Sequence, residues 1–414
     1  MKTPTDLTAA STSTKLTLLG SLYFAQGLPF GFFTQALPVL MRKSGFSLGQ
    51  IGLSSLLALP WALKFLWAPA VDRYWSPRLG RRRSWILPLQ LAAIVILLLL
   101  TLGGAGSLSG LMGAVLLLNL VAATQDIGTD GLAVDILAAS ERGLANGVQV
   151  AGYRVGMIVG GGVLLVFYDR LGAALTFLAM AALTALSTLP IGVLREPPPA
   201  PRAATRAGAA SHFLRRPAAA RILLVVMTYK MGDAFATGML RPFLADAGLS
   251  LADIGWLLGT VGFLSGLLGA LCGGALVQRL GRRPALVGFG LLQAATVAGY
   301  AVLAHAGLGR GALYAICSAE HFAGGMATAA LFTCMMDWCA PGSSATDYTV
   351  QASAVVIATG LASAAAGFSA QALGYFHHFC LAAALSLGAL LVVRRYFPGQ
   401  LISSDGHEGA ASCV

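Results

Sequence analysis

Residues 45–52 read GFSLGQIG, and residues 248–255 read GLSLADIG. The two segments share both terminal glycines and the Ser-Leu and Ile between them. Each one lies between two long apolar runs, so each reads as a short turn between two helices. The same helical hairpin is therefore predicted twice, in the first and in the second half of the chain.

Further matches occur at nearly the same separation. They join Gly80-Arg81-Arg82-Arg83 to Gly281-Arg282-Arg283-Pro284, Asp135 to Asp337, and Gln149 to Gln351. Chance can supply one such match but hardly three in one register. The sequence thus predicts two parallel copies of one unit.

Composition places this repeat in a membrane. Of 414 residues, 57% are apolar and only 10% are charged, against about 25% charged in soluble domains. Apolar runs of about 20 residues recur along the chain, enough to cross a bilayer. Because they are continuous rather than alternating, they predict an all-α integral membrane protein and not a barrel.

The hydrophobic runs give twelve predicted transmembrane helices in two six-helix halves. The helices are predicted at 16–41, 47–70, 84–103, 108–133, 144–167, 172–194, 222–244, 251–277, 285–305, 311–336, 344–368 and 376–393. Between the halves, the Pro- and Arg-rich segment 195–221 reads as a solvated linker. The predicted units are therefore 1–194, 195–221, 222–393 and a tail, 394–414.

Charge sets the predicted orientation. The net charge of +11 comes from basic residues between the spans, without the aromatic interleaving of a nucleic-acid surface. Most of the 27 lysines and arginines fall on one side if the amino terminus is inside. We therefore expect both termini in the cytoplasm. The polar amino terminus lacks a signal-peptide cleavage site and is expected to stay attached.

The loop between helices 2 and 3 carries a family resemblance. Asp72-Arg73 followed by Gly80-Arg81-Arg82-Arg83 resembles the G-x-x-x-D-R-x-G-R-R signature of the major facilitator superfamily, with an insertion from Tyr74 to Leu79. The second copy replaces the acid with Gln278. We expect a gate latch at this end, or else residues that only fix topology. The gate candidates are Asp72, Arg73, Gly80, Arg81, Arg82, Gln278, Arg279 and Arg282.

Longer segments narrow the resemblance. YFAQGLPFGFFTQALPVLMR at 23–42, SLLALPWALKFLWAPAVDRY at 55–74, TQDIGTDGLAVDIL at 124–137 and YRVGMIVGGG at 153–162 resemble the branch of muropeptide and acetyl-CoA permeases. Within it they are most similar to inner-membrane siderophore permeases for ferric pyochelin and rhizobactin.

This resemblance implies proton-driven import of a ferric siderophore such as ferric pyochelin, without ATP. The iron would travel with the siderophore, and the protein would hold no cofactor or metal of its own. An outer-membrane receptor would act upstream without direct contact. The alternatives are a muropeptide-type permease and an exporter of small molecules.

Polar side chains at membrane depth are costly and mark functional sites. Amides, cations and aromatic rings suit an aromatic, oxygen-bearing ligand, although aromatic residues at such positions more often serve packing than ligand contact. The candidates for the substrate cavity are Gln26, Gln35, Trp61, Asn119, Gln125, Tyr153, Arg154, Tyr229 and Lys230.

Titratable groups at the same depth are candidates for proton coupling. They are Asp126, Asp233, Glu320 and His321. We expect Asp126 to pair with Arg154, and Lys230 to pair with Asp233 three residues later. Lys64 either faces the cavity or extends to the membrane interface. Structural pairing without contact to substrate is the alternative for each group.

Other classes of function find little support. The six cysteines show no metal-ligand spacing, and no nucleophile elbow, phosphate loop or metalloprotease motif is present. A membrane-embedded enzyme would leave the repeat unexplained, and a sensor would need a soluble signalling domain. The sequence therefore favours a secondary transporter over an enzyme.

Overall fold

A computed structural model describes most of the chain. It covers residues 10–38, 41, 45, 54–103, 108–193, 196, 213–307 and 309–398. Most of the octet at 45–52, the predicted start of helix 2, the middle of the linker and the end of the tail lie outside these residues.

The described residues form an all-α bundle of twelve helices. They are α1 Thr12–Ala36, α2 55–73, α3 Arg83–Thr101, α4 Leu108–Ile136, α5 142–171, α6 Gly172–Val193, α7 Ala219–Asp246, α8 251–280, α9 Arg282–Ala306, α10 Arg310–Asp337, α11 344–373 and α12 375–396. Each predicted helix has a counterpart among the described residues, with ends shifted by a few residues, except that the start of helix 2 lies outside them.

Polarity differs among these helices. In the described part of the chain, eight helical stretches are long and apolar enough to cross a membrane. The helices outside that set are α2, α5 and α10, which are shorter or more polar. They carry Lys64, Arg154 and Glu320. Two of the apolar helices also carry charge at this depth, since Asp126 lies on α4 and Lys230 on α7.

Helix α2 differs from the continuous helix predicted at 47–70. Its described part is a series of short α and 3-10 segments, with prolines at the first turn of two of them, Pro60 and Pro69. Proline lacks an N–H donor and its ring clashes with the preceding turn, so it interrupts the hydrogen-bond ladder.

Sharp turns recur at the spacing of the sequence repeat. Gly172 and Gly374 adopt φ values of 72° and 74° where α5 meets α6 and where α11 meets α12. Gly80 and Gly281 adopt φ values of 99° and 82° just before α3 and α9. These left-handed conformations favour glycine. The backbone therefore repeats at the same separation as the sequence.

The apolar cores separate the two ends of the bundle. One core contains residues of both halves, among them Leu22, Leu132, Val226 and Met335, and lies near the α2–α3 loop. We call this end of the bundle the gate end. Two further cores lie toward the opposite end, one confined to α1, α3, α4 and α6 and the other to the second half. A small cluster of Ala68, Val71, Ile127 and Ala345 also joins the halves at the gate end, so within the described residues the shared apolar clusters lie at that end.

Candidate functional site

Asp72 is the centre of the gate-end contacts. Its carboxylate accepts hydrogen bonds from Arg81 Nη2 and Arg82 Nη1, each at 2.8 Å. It also accepts from the backbone N–H and hydroxyl of Thr346 in the other half, at 2.8 and 2.6 Å. Burial alone would raise the pKa of Asp72, but the two arginines and Thr346 hold it below its ordinary value. Asp72 is therefore an ionised anchor that joins the halves.

Asp135 and Asp337, one of the repeat pairs, make matching contacts across the gate end. Arg82 Nε donates to Asp135 at 2.8 Å, and Ser344 of the other half donates at 2.5 Å. Arg282 Nε donates to Asp337 at 2.6 Å, and Arg142 of the other half donates at 2.7 Å. Each carboxylate thus binds one arginine of its own half and the first turn of a helix in the opposite half.

Backbone carbonyls complete the latch. Arg81 donates to the carbonyl of Gly342 at 2.5 Å, and Arg282 donates to the carbonyl of Ala139 at 2.8 Å. Gln278 also donates to Ala139, at 3.1 Å, so the second loop copy contacts the other half without a carboxylate. Gly80 supplies the left-handed turn of the loop. Two gate candidates, Arg73 and Arg279, are exposed.

The described ends of the linker pack on the bundle instead of being solvated as predicted. The Glu196 carboxylate accepts from the backbone N–H groups of Arg82 and Arg83 at 2.7 to 3.0 Å. It caps α3, whose first N–H groups lack helical partners. Burial raises the pKa of Glu196, partly offset by these donors. Phe213 is fully buried, and Arg216 pairs with Asp347 at 2.5 Å.

Deeper in the first half, Lys64 is buried and forms an ion pair with Asp126. The predicted pairing of Asp126 with Arg154 is therefore wrong, and Lys64 does not extend to the interface. Sequence spacing fixes which face of α4 carries Asp126, but it cannot show that broken α2 brings its lysine to that face. Asp130, one turn further along α4, lies 3.9 Å from the same lysine.

An aromatic cluster lies next to this pair. The Trp61 ring centroid is 5.3 Å from that of Phe30 and 6.3 Å from that of Tyr153. The indole N–H of Trp61 donates to Asn119 Oδ1 at 3.0 Å. Asn119 Nδ2 and Gln125 Nε2 are buried without a partner among the described residues, which leaves two donors for a ligand.

Two more amides of α1 were cavity candidates. Gln26 is buried and donates to Thr129 at 3.1 Å, while its Oε1 has no partner among the described residues. Gln35 is exposed, in the π-helical turn toward the far end of α1.

The second half contains its own charged cluster. Lys230 pairs with Asp233 at 2.8 Å, as predicted. Asp233 in turn interacts directly with Glu320. Glu320 Oε2 accepts from the Tyr300 hydroxyl at 3.1 Å and lies 3.0 Å from His321 Nδ1. The structure thus brings all three predicted coupling groups of this half together.

Tyr229 does not join this cluster. Its hydroxyl donates to the backbone carbonyl of Leu286 at 2.8 Å, and its side chain is buried in the shared core. The contacts of Tyr229 are therefore those of a packing residue, which was the alternative to a place in the substrate cavity.

Arg154 lies at the interface of the halves, close to the charged cluster of the second half. It is about 18 Å along α5 from the gate end, at 1.5 Å per residue. Its guanidinium packs against Gly266 of α8 and lies 5.5 Å from the centroid of Phe263. No ion pair of the described residues includes it, although Glu320 and Asp233 act on it electrostatically. Arg154 therefore offers an unpaired positive charge at the interface of the halves.

Several residues with prominent contacts were missed as site candidates. Asp130 was not among the candidates, and Asp135 and Asp337 were used only as markers of the repeat. Arg142, Ser344, Thr346 and Glu196 carried no signal beyond their positions at helix ends. Among the described residues, no group of His, Cys, Asp and Glu could hold a metal ion.

Comparisons with known proteins agree with this architecture. The family model described as Major Facilitator Superfamily matches residues 19–319. The chain is 34% identical to the anhydromuropeptide permease of Escherichia coli K12, over 90% of this chain and 78% of that protein. It is 27% identical to putative transporter AmpG 4 of Rickettsia conorii, over 90% of this chain and 94% of that protein.

Solved structures show the same fold. The Major Facilitator Superfamily transporter FucP, crystallised in an outward conformation, superimposes with a TM-score of 0.71 at 16% identity, covering 92% of this chain and 98% of FucP. A bacterial homologue of ferroportin in an outward-facing state gives a TM-score of 0.68 at 18% identity, covering 93% of this chain and 99% of that one. This protein is a multi-pass integral membrane transporter that belongs to the Major Facilitator Superfamily.

Proposed function

We propose that the protein is a proton-coupled importer of an anionic, ring-containing organic solute across the bacterial inner membrane. The observation that carries this proposal is Arg154 at mid-membrane, which has no ion-pair partner among the described residues, faces the carboxylate cluster of the second half, and follows Tyr153 of the aromatic cluster. A cation without an ion-pair partner at this depth is costly unless an anionic ligand binds to it. The rings of Phe30, Trp61 and Tyr153 offer a stacking surface to the same ligand.

The gate end would face the cytoplasm, together with both termini. In that orientation the gate-end contacts close the cytoplasmic side, and the cavity opens toward the periplasm. Import would proceed by rocking of the halves, which breaks the contacts of Asp72, Asp135 and Asp337 and exposes the site to the other side. Glu320, His321, Asp233 and Asp126 would carry the coupled proton.

A muropeptide is one candidate cargo. Its support is the relationship to the E. coli anhydromuropeptide permease, at 34% identity over most of both chains. The buried amides with unpaired donors, Asn119 and Gln125, suit the hydroxyl and amide groups of a sugar-peptide.

A ferric siderophore of the pyochelin type is the second candidate cargo, and a different observation favours it. Lys64 and Lys230 are already paired with carboxylates, so Arg154 is the one cation of these three that is free for cargo. A sugar-peptide with several carboxylates would call for more. An aromatic siderophore of low charge matches one cation and three rings, and it agrees with the resemblance of segments 23–42 and 124–137.

Uptake into spheroplasts tests the importer and separates the cargoes. Cells with and without this gene would be given radiolabelled anhydromuropeptide or iron-pyochelin in parallel, each with and without an uncoupler. The importer proposal expects gene-dependent, uncoupler-sensitive uptake of one cargo. Uptake of the muropeptide alone would remove the siderophore from consideration, and the reverse result would remove the muropeptide. Equal uptake of both cargoes in the two strains would contradict import of either.

A further inference from the structure

Four buried side chains form one cluster inside the first half. Lys64 pairs with Asp126 and also lies 3.9 Å from Asp130 Oδ2. The hydroxyl of Tyr23 donates to Asp130 Oδ1 at 2.6 Å. Lys64 is 3% exposed and Asp130 is 2% exposed, so water screens these charges poorly.

The charges of this cluster do not balance when every group has the protonation state that is usual at neutral pH. One lysine faces two carboxylates, which would leave one uncompensated negative charge in a buried place. Such a charge costs several kcal/mol. Asp126 and Asp130 lie one helical turn apart on α4 and interact directly. Two adjacent carboxyl groups can hold one proton between them, which removes the excess charge.

The other polar neighbours leave this balance unchanged. Gln149 of α5 donates its amide to Asp130 at 3.4 Å. Tyr153 of α5 lies beside Asp126, and Tyr348 of α11 lies beside Asp130. These groups are neutral. Gln26 is neutral as well, and its amide nitrogen donates to Thr129, the residue before Asp130.

The two carboxyl groups lie at different depths. Asp126 is beside the aromatic cluster, while Asp130 is one turn, about 6 Å, closer to the gate end. There it meets Tyr348, which belongs to the opposite half. A proton bound by this pair can therefore move from the cavity side toward the surface along which the halves separate.

We propose that Asp126 and Asp130 share one exchangeable proton beside Lys64, and that this pair is a protonation site separate from the Glu320 cluster. A proton arriving from the cavity binds an oxygen of Asp126, which weakens the ion pair with Lys64. The proton then passes to Asp130, and the Lys64–Asp126 pair reforms. It leaves from Asp130 when the gate end opens. The transport role of this site rests on the proposed function, but the shared proton does not.

Infrared spectroscopy of the purified protein in lipid nanodiscs tests the shared proton without any cargo. The C=O stretching band of protonated carboxyl groups would be titrated with pH. Wild type is expected to keep this band at pH 7, and Asp130→Asn is expected to lose about one carboxyl group's share of it. An identical band in the two proteins would overturn the proposal.

The matched control is Asp246→Asn. Asp246 also accepts a hydrogen bond from a tyrosine hydroxyl, that of Tyr375 at 2.7 Å, but it is exposed. Its removal is expected to leave the band at pH 7 unchanged. Lys64→Gln provides a second test should Asp130→Asn fold poorly. Without the lysine cation, the band of protonated carboxyl groups is expected to disappear at a higher pH than in wild type. Disappearance at the same pH would contradict the proposal.

Transport assays then test the coupling role. In proteoliposomes, Asp130→Asn is expected to keep exchange of cargo between the two sides, which moves no net protons. It is expected to lose at least about tenfold in accumulation driven by a pH gradient. Equal loss of exchange and accumulation would show a merely structural residue. If wild type carries neither cargo, the proposed function fails while the infrared result stands.

Discussion

Individual side chains at membrane depth decide what this protein can do. In the second half, Glu320 is 2% exposed, yet it contacts Tyr300, His321 and Asp233. A carboxyl group held among three other titratable groups can gain or lose a proton with small movements of its neighbours. In the first half Arg154 has no carboxylate partner among the described residues, and it faces that cluster across the interface.

Substituting Glu320 by Gln removes a proton acceptor and retains the shape of the side chain. Uptake is expected to fall at least about tenfold, and the remaining uptake is expected to become insensitive to an uncoupler, because the cluster no longer exchanges a proton. Initial rates in spheroplasts measure both effects. Unchanged rate and unchanged sensitivity would show that Glu320 is a structural residue.

Substituting Arg154 by Gln removes the unpaired cation. The KM for an anionic cargo is expected to rise about tenfold or more, equivalent to at least about 1.4 kcal/mol of binding. The control is Arg241→Gln, because Arg241 is an exposed arginine of α7. Concentration dependence of uptake measures the effect. If both variants show the wild-type KM, Arg154 does not bind cargo.

The sequence predicts which residues carry charge at depth, but it predicts their partners unevenly. The Lys230–Asp233 pair follows from spacing on one helix and is present. The prediction of an Asp126–Arg154 pair was wrong because the partner of Asp126 depends on how the broken helix α2 packs against α4. Asp130 and Tyr23 were visible in the sequence, but their hydrogen bond joins residues far apart in the chain.

Helices meet at the gate end through polar caps and glycine contacts. The first turns of α5 and α11 contribute Arg142 and Ser344 to carboxylates of the opposite half. Helices α5 and α8 approach so closely that a Cβ added at Gly147 would lie 2.8 Å from the carbonyl oxygen of Ala270. The repeat predicts that these elements correspond, whereas the cross-half pairing of caps with carboxylates emerges only from the packing.

Substituting Asp72 by Asn weakens the bonds to Thr346 and the ion pairs with Arg81 and Arg82. The closed gate is expected to lose about 1–3 kcal/mol, which shifts the populations of closed and open states by about fivefold to a hundredfold. Pulsed electron paramagnetic resonance between spin labels on exposed Leu79 and Tyr396 measures the gate-end distance. The control Arg78→Gln changes an exposed arginine and is expected to keep the wild-type distances.

The sign of the pH effect at Asp72 follows from its lowered pKa. Its ionised form stabilises the closed gate above about pH 4, the value of a free Asp side chain, and that contribution is lost as pH falls through the lowered pKa. The gate-end distance distributions of wild type and Asp72→Asn are therefore expected to show their full difference between pH 5 and 8. Identical distance distributions in that range would contradict the latch.

Substituting Gly147 by Ala tests the contact between α5 and α8. The added methyl group is expected to push the helices apart at a cost of about 1–3 kcal/mol, and so to lower thermal stability in detergent. Gly288→Ala is the matched control, since a Cβ at Gly288 of α9 meets nothing within 4 Å. Equal melting temperatures of the two variants would contradict a tight crossing at Gly147.

The described residues form two repeated halves that share apolar clusters at the gate end and keep separate cores toward the other end. Composition and repeats are enough to predict this fold, because hydrophobic length, turns and internal symmetry are local properties of the sequence. The conformational state is not predictable in the same way. It depends on a balance of gate contacts, each of which must also break for transport.

Proton movement in proteoliposomes tests the central claim, proton-coupled import, most directly. Purified protein would be reconstituted with a pH-sensitive dye in the lumen, and muropeptide or iron-pyochelin would be added outside. The account predicts that one cargo acidifies the lumen and accumulates further when the outside is made more acidic. Accumulation of cargo with no proton movement, at a rate independent of the pH gradient, would contradict it.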